Sequence, residues 1–303
     1  MAKRVVKFEA LALLALLAVF LGYRWLIMAE NGPSARLHQI AWEDPSEEFG
    51  GISGLDVIEN GLGLWVVSDR GRLFRASLTR DDMDQVSGIQ ITERYHLLDD
   101  FGREVSGFSS DSEAVRVLDD GRVVISFEGL TRVAYFSPPS MVEHLLNDWM
   151  RFETLWGNKG MEALAISSTG QITTLLEKPA ANKGYVSFVY HGDDKWEEGP
   201  YLATDGRFMA TDADFGPDGR LYVLERRFSY VWGYSTRISV YSPLDEGYSM
   251  PEVVLETAPG SYSDFEGLSL WTDAKGRLIA TLVSDNNFLP FSSTMLAEFA
   301  LDP

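Results

Sequence analysis

The chain of 303 residues carries 45% apolar and 23% charged side chains, enough for a packed core and too apolar for wholesale disorder. Asp and Glu number 45 against 26 Lys and Arg, and the net charge of −19 argues against a nucleic-acid partner and suits cations or cationic ligands. Cysteine is absent, which excludes disulfides, zinc–thiolate and iron–sulfur centres, and thiol catalysis.

In chain order, the first element is basic and then apolar. Lys3, Arg4 and Lys7 precede a run of apolar or small residues from Ala10 to Tyr23. That run is shorter than the roughly 20 residues of a spanning helix, and a basic start before a short apolar core is the pattern of a secretory signal. Ala29 has the bulky Ile27 two positions before it, so no good cleavage site follows and cleavage stays open. Extending the apolar stretch to Met28 takes in Arg24, whose side chain could snorkel. Residues 1–36 therefore read as a signal peptide or a membrane anchor, and a buried helix of the domain fits the flanking charges less well. In both export readings the body, residues 37–303, faces the periplasm or the exterior.

Beyond Arg36 the chain consists of short apolar or alternating runs separated by Gly, Asp-Gly and Pro, with one short helix expected near Ser140–Met150. A unit recurs five times, opening at Ser53-Gly54-Leu55, Glu113-Ala114-Val115, Glu162-Ala163-Leu164, Asp212-Ala213-Asp214 and Glu266-Gly267-Leu268. Each opening leads to a turn glycine (Gly61, Gly121, Gly170, Gly219, Gly276), then to a strand ending in a carboxylate: Asp69, Glu128, Glu177, Glu225 and Asp285. Further strands follow, such as Arg72–Leu78 with Ile89–Leu97, and Arg132–Ser137 with Arg151–Leu155. Four strands at a period near 50 residues predict an all-β chain folded as a β-propeller of five blades, with a sixth, degenerate blade as the alternative. A solenoid would need capping repeats. Thr294–Leu301 and Arg36–Trp42 are left to pair and close the ring.

The hairpin midpoints fall at the turn glycines, so the opening residue and the closing carboxylate of each unit are expected side by side. Because the first strand of a blade lines the channel, repetition would gather Asp69, Glu113, Glu128, Glu162, Glu177, Asp212, Glu225, Glu266 and Asp285 at one mouth. Such a crowd must protonate, pair with cations or bind metal, and an all-oxygen ligand set favours calcium before magnesium. Arg70, Lys178, Arg226 and Arg227 follow these acids directly and could clamp an anionic substrate. The competing reading is a structural ion-pair network holding the blades in register. Asn286 and Asn287 are either neutral ligands or turn residues. The four histidines occupy unrelated places in the repeat, which gives no support to a His-based triad or zinc site.

Several of these stretches resemble a known family. Gly51-Ile52-Ser53-Gly54-Leu55 with Ser68-Asp69-Arg70-Gly71 is similar to the opening of the phytase-like family described by an esterase-like activity. Asp111-Ser112-Glu113-Ala114, Gly160-Met161-Glu162-Ala163-Leu164, Val223-Leu224-Glu225-Arg226, Phe265-Glu266-Gly267-Leu268 and Val283-Ser284-Asp285-Asn286-Asn287-Phe288 resemble its later blocks, in matching order from about residue 48 to 301. The resemblance implies a secreted or periplasmic propeller similar to calcium-dependent phytases. It carries Asp69, Glu113, Glu162, Glu225, Glu266 and Asp285 as metal or site residues, although Ser53 stands where other repeats have an acid. Two functions remain: hydrolysis of a small anionic ester by a metal-activated water, with Arg70, Lys178 or Arg226 offsetting charge, or a non-enzymatic propeller that binds a ligand or protein.

Overall fold

In the computed structural model, the described residues are 36–137, 141–146, 160–192, 195–289 and 292–301, with Gly22, Phe152 and Leu155. The expected signal or anchor segment lies outside them, Gly22 and Arg36 apart. Alternating β-branched and aromatic runs between turn glycines fold as five four-stranded antiparallel sheets, the blades of one propeller. Blade one comprises β2 (Ile52–Ile58), β3 (Gly63–Ser68), β4 (Arg72–Arg80) and β5 (Val86–His96), and β1 (Arg36–Trp42) is held back for the end. Blade two comprises β6 (Ser112–Val117), β7 (Val123–Phe127), β8 (Arg132–Ser137) and β9 (Met141–Leu145). Blade three is β10 (Met161–Ile166), β11 (Ile172–Leu176), β12 (Ser187–Tyr190) and β13 (Trp196–Glu198). Blade four is β14 (Met209–Phe215), β15 (Leu221–Ser229), β16 (Gly233–Tyr241) and β17 (Glu252–Glu256). Blade five contains β18 (Phe265–Thr272), β19 (Leu278–Ser284) and β20 (Thr294–Leu301), with β1 as its outer strand.

The terminal strands close the ring as expected, with Trp42 opposite Thr294 and Ile40 opposite Leu296. There are five blades, not six. The short helix expected near residues 140–150 is replaced over Met141–Leu145 by β9, which pairs with β8 in place of Arg151–Leu155; residues 147–151 and 153–154 lie outside the described ones. An outer-blade hydrogen-bond ladder to β8 outweighs the weak local helical signal there.

The core is distributed between neighbouring blades. One cluster joins Leu55, Val66 and Phe74 of blade one to Val283 and Leu296 of blade five; another joins Val67 and Leu73 to Ile125 and Phe136 of blade two. The inner strands β2, β6, β10, β14 and β18 stand next to one another around the channel. Blades one and two approach so closely that a side-chain carbon on Gly54 would lie 2.7 Å from the Ala114 Cα, so no larger residue fits there.

Candidate functional site

Every inner strand opens with a register irregularity, and this corrects the expected pairing of opening and closing residues. The breaks fall between Ile52 and Gly54, Ser112 and Val115, Met161 and Ala163, Ala210 and Asp212, and Phe265 and Gly267. The extra residue is therefore Ser53, Glu162, Thr211 or Glu266, and Glu113 with Ala114 in blade two. A bulge of this kind leaves its residue unpaired and re-aims the side chain. The closing carboxylates pair two positions earlier instead: Asp69 N–H donates to Gly51 O (2.9 Å), Glu128 N–H to Asp111 O (2.9 Å) and Asp285 N–H to Asp264 O (3.0 Å).

Blade four is out of step with the repeat read from the sequence by one residue on each strand. Its bulge is at Thr211, and Met209 pairs with Arg226, so Thr211 and Arg226 occupy the places expected for Asp212 and Glu225. Neither of those two acids joins the mouth. Glu225 is fully buried on the other face of β15, where Arg237 Nε and Nη2 donate to it at 2.7 and 2.8 Å and Tyr185 donates its hydroxyl at 2.7 Å. Asp212 lies deeper in the channel against Arg116, a buried guanidinium that donates to Asp212 (2.9 Å), Leu55 O (2.9 Å) and Leu268 O (3.0 Å). Arg116 thereby ties blades one, four and five to its own.

The other seven expected acids converge, joined by Asp111 and Asp264. Asp111, Glu113 and Glu128 each offer one oxygen within 4.8 Å of the others. Burial pushes the Glu113 carboxyl well above its ordinary range, with Asp111, Glu128 and Asp69 adding to the shift. Burial does the same to Glu162, reinforced by Glu113, Glu128 and Glu177. Glu266 is raised by burial against the pull of Arg226. Asp69 and Asp285 are pushed up to about 6, again chiefly by burial. These mutual fields show that the acids from blades one, two, three and five share one electrostatic site.

Arg226 is embedded in it. Its guanidinium contacts Glu266 directly, and lies 2.9 Å from Asp264 and 3.5 Å from Glu177. Burial opposes its charge, but the fields of Glu266 and Asp264 outweigh that and hold it firmly protonated. Among the described residues Asp264 nevertheless keeps Oδ1 buried without a hydrogen-bond partner. Lys178 sits 3.2 Å from Glu177, with more than half its side chain exposed. Arg70 is exposed at the rim and lies over the Phe288 ring, 3.2 Å from its centroid. Asn286 is a turn residue: its Oδ1 accepts from the Gly51 and Phe288 N–H groups, both at 3.0 Å.

Sequence reasoning missed Asp264 and Thr211, and quoted Asp111 only within a motif. The signal available was spacing: Glu113 to Glu128, Glu162 to Glu177 and Thr211 to Arg226 are all 15 residues apart.

Residues 47–288 match the model of the phytase-like family described as "Esterase-like activity of phytase". No curated protein matches the chain. Among solved structures, an α-L-arabinofuranosidase from Podospora anserina in complex with cellotriose is similar over 89% of this chain and 96% of its own, at 11% identity and a TM-score of 0.54. A gluconolactonase from Xanthomonas campestris is similar over 83% and 72%, at 11% identity and a TM-score of 0.45. A luciferin-regenerating enzyme is similar over 83% and 92%, at 11% identity and a TM-score of 0.46. At 11% identity the first of these shows the fold alone.

Proposed function

The chain belongs to the phytase-like family, and from that membership and its acidic mouth we propose that it is an exported, metal-dependent hydrolase of phosphate or other anionic esters. The observation that carries the proposal is the convergence of Asp111, Glu113 and Glu128 within 4.8 Å, in the middle of further carboxylates that Arg226 alone cannot neutralise. The donor set fits a hard cation, calcium before magnesium, and Asp264 Oδ1, which has no hydrogen-bond partner among the described residues, adds a further oxygen. Those three carboxylates would hold the ion. When bound, it would polarise an ester oxygen and make a water more acidic.

The chain's own groups account for the rest. Arg70 and Lys178 stand exposed at the rim and would receive the negative charge of the ester, while Arg226 offsets charge deeper in the mouth. A water oxygen bonds to phosphorus as the ester P–O bond breaks. The leaving alkoxide takes its proton from Glu162, whose carboxyl burial pushes well above its ordinary range, and the proton of the water passes to a neighbouring carboxylate such as Glu177.

The basic-then-apolar N-terminus supports delivery across a membrane, with the propeller in the periplasm or outside the cell and the segment either removed or kept as an anchor. Cell fractionation of the full chain tests that part. The Arg226 ion pairs favour a second reading, a ligand-binding propeller whose acids serve structure. The deciding experiment titrates calcium into chelator-treated protein and assays phosphate and carboxylic esters with wild type, Arg70→Ala and Glu162→Gln. Calcium should raise the melting temperature, Glu113→Gln should blunt that rise, and each of the two other variants should lower turnover by roughly a hundredfold. Ester turnover that survives chelation and both substitutions overturns the mechanism; no turnover on any ester leaves the binding propeller.

A further inference from the structure

A cleft of about 450 Å³ opens beside the mouth, large enough for a drug-sized organic group. On one side it meets the reacting end through Arg226, Asp264 and Glu266. On the other it is walled by Met209, Phe228 and Tyr234. Phe228 packs on Tyr234 with ring centroids 4.9 Å apart, and on Tyr230 at 5.2 Å in an edge-on arrangement. This aromatic wall is left open to water: Phe228 is 53% exposed and Tyr230 98%. Apolar surface so displayed at the edge of a polar site is where a ligand regains the cost of its exposure.

The charge of the cleft argues against a polyanion. Arg226 is already shared among three carboxylates, and Glu177, Asp264 and Glu266 line the same space. Arg207 and Arg227 line it too, Arg207 already paired with Asp205 at 2.7 Å, so three guanidiniums meet three carboxylates and leave no surplus of positive charge for a ligand carrying many phosphates. Resting on the proposed hydrolase reading, we infer that the cleft receives the alcohol portion of the substrate as a flat aromatic group, so that the preferred substrates are aryl esters carrying a single anionic group. Phe228 and Tyr234 supply the stacking faces and Met209 a polarisable contact.

The test uses calcium-loaded full chain and three probes: phenylphosphonate, methylphosphonate and inositol hexakisphosphate, with dissociation constants read by calorimetry. Phenylphosphonate should bind about three- to tenfold more tightly than methylphosphonate, and Phe228→Ala and Met209→Ala should shrink that ratio towards one. Both side chains are partly exposed, so neither change threatens folding. Equal binding of the two phosphonates, an unchanged ratio in Phe228→Ala, or tightest binding of inositol hexakisphosphate overturns the inference while leaving ester hydrolysis standing. Failure of all three to bind, together with no ester turnover, overturns the hydrolase reading and the inference with it.

Discussion

Arg226→Met removes the guanidinium embedded in the mouth while keeping most of the apolar volume of the side chain. Three carboxylates lose their partner: Glu266 in direct contact, Asp264 at 2.9 Å and Glu177 at 3.5 Å. Breaking a fully buried pair from one side costs about 3–5 kcal/mol. The Arg226 side chain keeps 24% of its surface, and the acids can take up protons, so the expected loss near neutral pH is about 2–3 kcal/mol. For a chain of this size that is a fall in melting temperature of about 3–5 °C. The loss depends on pH with a definite sign. Glu266 already has its folded-state pKa raised, and removing the cation raises it further. A raised carboxyl contributes stability below its unfolded pKa and loses it as pH rises through the folded value, so the deficit is small near pH 4.5 and grows as pH rises from there. Scanning calorimetry of both proteins in chelator across that range measures it. A shift under about 1 °C, or one equal at acid and neutral pH, would refute the account of Arg226 as the counter-ion of the mouth.

Two further outcomes follow from the same structure. Deleting residues 36–42 strips the outer strand from blade five and exposes the β20 edge; melting should fall by about 10 °C or more, and an unchanged melting curve would refute ring closure by β1. In metal-free wild type, Asp69 and Asp285, both raised to about 6, should make stability decline as pH climbs from about 4 through 6, and saturating calcium should flatten that decline; a metal-free profile that rises with pH would contradict the crowding of these acids.

The repeat was legible because turn glycines and strand-ending acids recur at fixed places, and Gly61, Gly121, Gly170, Gly219 and Gly276 all adopt the positive φ their turns demand. The bulges were not legible. A bulge of this kind carries no obligatory glycine or proline: Ser53, Glu162, Thr211 and Glu266 share only their position, and a period-2 strand pattern assigns such a residue to the wrong face. In blade four that one-residue slip sent attention to Asp212 and Glu225, acids that do face charged partners, though Arg116 and Arg237 rather than the mouth. Asp264 escaped because it precedes its strand, in a stretch where nothing in composition separates a ligand from a loop acid.

Closure by β1 also sets a timetable for assembly. The outermost ladder of the last blade joins Arg36–Trp42 to Thr294–Leu301, opposite ends of the folded chain, so blade five cannot be completed until the last strand has been made. The other four blades are hairpins of near neighbours and can form as they emerge; the final ladder has about the highest sequence separation the chain allows and carries the largest loop-closure entropy. From then until β1 docks, β20 presents an open edge, the kind of strand that pairs with another chain. The seam between first and last strands is therefore both the slowest step of folding and the place where this propeller is most open to domain swapping.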